Sequence, residues 1–149
     1  MGSGGTAVLT RAGSGIVPAT EHAIDEGVAH RICLSWVDAI CRGGVHCMSL
    51  YLRCTEGLSE ANQAILEEAS AVLATVAGPW IVAADWNFSP LVLAEAGWLK
   101  IVGGILFASE LPTCNDSSYD YLSTRAWPTR LSECSAWTMA VATRTGQRY

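Results

Sequence analysis

Charge is scarce in this sequence: Asp, Glu, Lys and Arg make up 15% of its 149 residues, and hydrophobic residues make up half. A chain of that balance can bury a sizeable core, which argues against a disordered chain and leaves the order of residues 126–149 undecided. Its length fits one domain and is too short for two. No apolar stretch is long enough to cross a bilayer, so no membrane role is read. The opening MGSGGTAVLTR lacks a basic region followed by an apolar core. No secretory signal is therefore expected, and the cytoplasm or nucleus is the default location. A Cys-x-x-Cys pair is also missing among Cys33, Cys41, Cys47, Cys54, Cys114 and Cys134, which removes the usual structural zinc sites. Without a secretion signal, the six cysteines are read as small buried thiols rather than as three disulfides. There is no internal repeat and no low-complexity linker.

A basic excess is absent too, since the net charge is −5. The deficit is uneven. Residues 1–124 hold five basic residues against thirteen acids, whereas residues 125–149 hold Arg125, Arg130, Arg144 and Arg148 against Glu133. The chain as a whole has no electrostatic footprint of a nucleic-acid binder. Its basic tail could touch phosphates, but four scattered arginines are more often a solvated end.

Thr6 to Thr10 reads as a short buried strand, and Arg11 to Gly27, rich in Gly, Ser, Pro and acids, as an exposed loop. Arg31 to Val37 and Val45 to Leu52 flank Gly43-Gly44 and predict an antiparallel hairpin. Ser59 to Ala77 predicts the long helix. Ser59 is its N-cap, and Ile65, Ala69, Val72 and Val76 recur at helical spacing with Leu66 and Leu73 beside them. Glu60, Asn62, Gln63, Glu67 and Glu68 fall largely on its outer side, and Gly78-Pro79 ends it. Trp80 to Ala84 is continuously apolar and reads as a central strand buried on both faces. A short helix over Ser89 to Ala96, with Pro90 at its first position, and strands at Ile105 to Ala108 and Tyr119 to Ser123 complete a mixed α/β domain.

The segment GPWIVAADWNFSP, residues 78–90, carries the most chemistry. A buried strand delivers an acid, Asp85, and an amide, Asn87, two positions apart, which along an extended chain points both to one side. Such an Asp can take a proton from water or hold a hydrated divalent cation. Such an Asn can donate to a phosphate oxygen as charge develops. The same pair also fits a strand-end turn, which Asp and Asn favour.

This run resembles the Asp-x-Asn signature strand of the endonuclease/exonuclease/phosphatase superfamily, with Ala84 where glycine is usual. GGTAVLTR (4–11), CMSLYL (47–52), AGWLK (96–100), LPTC (111–114) and SSYDYLSTR (117–125) resemble family segments in the same order. The resemblance covers residues 4–125, leaving 126–149 as a basic tail. It implies part of a DNase I-like α/β sandwich, with mixed, largely antiparallel sheets flanked by helices, incomplete at both ends. It also implies divalent-metal-dependent phosphodiesterase activity with Mg²⁺ or Mn²⁺ on nucleic acid, DNA before RNA. By the same resemblance Asp85 positions the attacking water and contributes to the metal site. Asn87 orients the phosphate, Tyr51 contacts it, and Asp120 orients a catalytic histidine. Without the family, Tyr51 is a half-buried strand residue and Asp120 a turn cap.

The departures weigh against activity. Arg53 and Cys54 stand where the family usually has an asparagine just beyond the tyrosine. The family's metal-binding Glu is expected upstream of Gly4, and no histidine follows Asp120. Of the three histidines, His22 and His30 fall in or near the loop, and His46 has an offset that should turn it away from Tyr51. Two readings remain: a phosphodiesterase, or a truncated, non-catalytic relative of that family. A plain interaction module is a third. The substrate and the oligomeric state stay open.

Overall fold

The computed structural model describes residues 5–19, 24–38, 42–108 and 120–125, the last six as backbone apart from Ser123. Six strands form one mixed sheet: β1 (Ile16–Pro18), β2 (Ile32–Val37), β3 (Val45–Tyr51), β4 (Trp80–Asp85), β5 (Gly104–Ala108) and β6 (Asp120–Arg125). Their order across the sheet is β1-β2-β3-β4-β6-β5. Only β3 and β4 pair in parallel. A parallel neighbour needs a crossover, and helix α1 (Glu60–Thr75) supplies it. Two short helices, α2 (Pro90–Glu95) and α3 (Trp98–Val102), follow β4. The mixed α/β class expected from the sequence is the class observed.

The large core lies between one sheet face and the helices. Ile32 and Leu34 of β2, Met48 and Leu50 of β3, and Trp80, Val82 and Ala84 of β4 pack with Ile65, Leu66, Ala69, Val72 and Leu73 of α1. These strand residues are all even-numbered, as the alternation of a pleated strand requires. Trp98 locks α3 onto α1, its indole Nε1 donating to the Leu66 carbonyl at 3.0 Å. The opposite face holds a smaller cluster of Val37, Val45 and Cys47, against which Val8 and Ile81 pack.

Three sequence expectations need correction. Residues 6–10 form no strand, and Leu9 is 78% exposed. Instead Ile16–Pro18, inside the expected loop, pairs with the outer edge of β2. Proline is tolerated there because an edge strand need not donate every N–H. Asn62, expected on the outer side of α1, is fully buried. Helix α3 occupies residues read as a connection. It is only five residues long, bracketed by Gly97 (φ 75°) and Gly103 (φ 65°) in left-handed geometry. A single turn of helix leaves little periodic signal. The expected segment 111–114, His22, Tyr119 and the tail 126–149 lie outside the described residues.

Candidate functional site

Strand β4 is apolar from Trp80 to Ala84 and ends on the one acid that follows. Its parallel register with β3 sets Tyr51 beside Asp85. Its antiparallel register with β6 sets Asp120 on the other side of Asp85. Tyr51, Asp85 and Asp120 thus occupy one row across three strands, at one end of the sheet. Leu50, Leu52, Ala84 and Trp86 point into the core, so the side chains of Tyr51 and Asp85 stand on the face away from α1. Both are half-buried. The side chain of Asp120 lies outside what the structure describes.

Asn87 sits just past the row, but the extended alternation expected for it stops at Asp85. Asn87 takes a left-handed backbone, φ 57°, a conformation that asparagine tolerates better than most residues. Its Nδ2 donates to the Leu52 carbonyl at 3.2 Å and, more weakly, to the Asp85 carbonyl at 3.4 Å. In this conformation the amide nitrogen ties the ends of β3 and β4 together.

Tyr51 is held from two sides. Its hydroxyl lies 3.5 Å from the Cys54 sulfur. The Arg31 guanidinium stacks on its ring, 5.2 Å from the centroid, a cation–π arrangement. Arg31 Nη1 also donates to the Tyr51 carbonyl at 3.3 Å. The hydrogen bond with Cys54, then burial, then the charges of Cys54 and Asp85 push the Tyr51 pKa up, while Arg31 pulls it down. The phenol is therefore a protonated donor through neutral pH.

A measurable consequence follows for pH. A group whose pKa is raised on folding binds its proton more tightly in the native state. Its contribution is fully present below the unfolded pKa near 10 and is lost as pH rises through the folded value. Denaturation midpoints of the wild type are expected to fall more steeply above pH 10 than those of Tyr51→Phe. Parallel profiles for the two proteins would refute the assignment.

Cys33 and Cys54 are free thiols. Cys47 is buried and Cys33 half-buried, but Cys54 is exposed, contrary to the expectation of buried thiols. The loop that carries it is stapled by Asn62, whose Oδ1 accepts from Arg53 N at 2.7 Å. Its Nδ2 donates to the carbonyls of Arg53 (3.1 Å) and Gly57 (2.7 Å). His46 pairs with Trp36 and Trp80, five residues from Tyr51 and so roughly 16 Å away along β3. It is not part of this constellation. His30 is exposed and precedes Arg31 in a short 3-10 turn, Ala29–Arg31.

Sequence reasoning passed over Arg31 and Asn62. The first had a usable signal: in the expected hairpin Arg31 falls opposite the Tyr51 end of β3. The second had none, because a polar residue in the first turn of a helix is ordinarily solvated.

Among the described residues no group of three His, Cys, Asp or Glu side chains gathers. Asp85 is the one described carboxylate in the row, and it shares that end of the sheet with a guanidinium. Mg²⁺ demands near-octahedral oxygen ligation with carboxylate support, and these described donors do not fit it.

No protein-family model and no curated protein matches the chain. Among solved structures it is similar to cytolethal distending toxin from Actinobacillus actinomycetemcomitans, at 16% sequence identity and a TM-score of 0.49. The match covers 69% of this chain and 42% of that chain, so this chain spans less than half the length of the toxin chain. The likeness is weak and is one of fold alone.

Proposed function

We propose that the chain carries the phosphate-handling side of a phosphodiesterase site of endonuclease/exonuclease/phosphatase type, directed at nucleic acid, DNA before RNA. The observation that carries this reading is the row of Tyr51, Asp85 and Asp120 across β3, β4 and β6. Those are three residues the sequence motifs had singled out separately. In this reading the Tyr51 phenol donates to a phosphate oxygen, and Asp85 accepts a proton from an attacking water. Mg²⁺ or Mn²⁺ is the cofactor that the sequence motifs imply. It would supply charge neutralisation, and no step is assigned to it because the described donors do not fit it.

The second reading is a non-catalytic relative, favoured by that same shortage of carboxylates. Losing one group that stabilises transition-state charge costs on the order of a hundredfold to a thousandfold in rate. The expected result is therefore little or no nicking of plasmid or abasic duplex by the purified chain with Mg²⁺ or Mn²⁺. Any residual nicking is expected to vanish in Asp85→Ala. Nicking that survives Asp85→Ala would remove Asp85 from the chemistry and with it the phosphodiesterase reading. Complete inactivity together with a failure to bind either DNA would leave the chain a relative in fold only.

A further inference from the structure

We propose that Arg31 is an anion anchor, a phosphate-binding residue that makes this end of the sheet a metal-independent subsite for a phosphate ester. The inference rests on the phosphate-facing reading above, and deepens it by naming the residue that takes the negative charge.

Arg31 ends the 3-10 turn that leads into β2. Ile32 pairs with Leu50, so the residue before it falls level with Tyr51. Arg31 thereby extends the row by a fourth position, setting a cation level with the Tyr51 phenol, the Asp85 carboxylate and the backbone of Asp120. The row is polarised, with its positive end on the β2 side and the Asp85 carboxylate on the β4 side. A phosphate ester presents an anion to the first and a site for attack by water to the second.

The guanidinium itself is incompletely satisfied. It is half-buried, and its Nε is a buried donor with no hydrogen-bond partner. Only Nη1 makes a hydrogen bond, to the Tyr51 carbonyl. A buried donor left unpaired is costly, and an arginine cannot escape by losing its proton. Among the described residues Arg31 also has no carboxylate in ion-pair range. Arg53, nearby on the β3–α1 loop, has Glu56 at 3.9 Å. A planar cation with free donors and no counter-ion fits the two oxygens of a phosphate. The stack on Tyr51 pre-orients that plane, so fewer rotamers are lost when an anion arrives. The Tyr51 phenol, held protonated, adds a donor beside it.

A purely structural arginine, stapling the turn to β3, would show the same stack and the same bond to the Tyr51 carbonyl. Phosphate binding separates the two roles. Arginine side-chain Nε–H signals are followed by ¹H–¹⁵N NMR while inorganic phosphate is added in the presence of EDTA, with chloride at matched ionic strength as control. The Arg31 signal is expected to shift saturably with phosphate and not with chloride. Arg31→Gln is expected to weaken binding about tenfold to a hundredfold, the range for a charge-assisted hydrogen bond. Arg31→Lys should fall between, keeping the charge and losing the fork.

Should Arg31→Gln fail to fold, the wild type still decides. Phosphate is expected to protect Arg31 from phenylglyoxal, with the modified sites mapped by mass spectrometry. An unshifted signal, or undiminished phosphate binding in Arg31→Gln, overturns the proposal, as does absent protection. A short oligodeoxynucleotide titrated in the same way is expected to shift the Arg31 signal at lower concentration than inorganic phosphate does. An equal midpoint would assign the subsite to small phosphates. Phosphate binding without nicking upholds this anchor and favours the non-catalytic relative over the catalytic reading. Nicking that is indifferent to Arg31 sinks only this anchor.

Discussion

Replacing Asn62 by leucine is expected to cost about 2–4 kcal/mol of stability, because it strands buried hydrogen-bonding groups. The Asn62 side chain is fully buried and satisfies three backbone groups of the 53–57 loop: Arg53 N–H, the Arg53 carbonyl and the Gly57 carbonyl. Leucine is close in volume but can satisfy none of them. Arg53 and Thr55 are exposed, so water will reach part of the opened loop, which is why the estimate falls short of three full penalties. Urea midpoints at constant m-value measure the loss. The loop also carries Cys54, whose contact heads the causes of the raised Tyr51 pKa. In Asn62→Leu the Tyr51 pKa should therefore drop towards its ordinary value. Stability within about 0.5 kcal/mol of wild type, the range of an ordinary surface substitution, would show that the loop is held by something else.

Gly44→Ala is expected to be as damaging, for a different reason. Gly44 is buried in the hairpin between β2 and β3, with φ at +74°. A left-handed backbone costs a residue with a Cβ about 1–2 kcal/mol. The added Cβ would also stand 2.3 Å from the Trp36 ring, a distance that forces the indole or the turn to move. Overpacking of that kind costs about 1–3 kcal/mol more. The neighbouring Gly43 provides the control. Its φ is +92°, but nothing lies within 4 Å of a Cβ built there. Gly43→Ala should show the backbone strain without the clash, so its loss should be about half as large. Equal losses in the two variants would remove Trp36 from the explanation. This hairpin sets the register that brings Arg31 level with Tyr51, so Gly44→Ala should also weaken any phosphate binding.

Local chemistry made much of the fold legible in the sequence. Ser59 capped a helix whose apolar spacing placed Ile65, Ala69, Val72 and Val76 inward, and all four are buried. The apolar run ending at Asp85 became a central strand with that acid at its end. The Gly43-Gly44 hairpin formed with the expected antiparallel pairing. These features depend on backbone propensity and on which side chains avoid water, and both act over a few residues. The strand expected at 6–10 failed because a short apolar run does not say whether a partner edge is available. β2 offers one free edge, and Ile16–Pro18 takes it.

The candidate site divides along the same line. That Tyr51 and Asp85 end apolar strands was legible locally, since alternation and the break in hydrophobicity are written over a few residues. Their adjacency comes from the packing of the whole sheet, because the parallel register of β3 and β4 depends on how α1 packs across them. The tertiary structure also decided the fate of Asn87. A left-handed turn brings its amide to two backbone carbonyls, and a reading that assumed extended geometry could not foresee that. The expected hairpin already set Arg31 opposite the Tyr51 end of β3, and the tertiary structure gave it its surroundings. One arginine among eight in the sequence acquires a distinct role because a hairpin register and an aromatic face hold it half-buried, where its Nε donor has no partner.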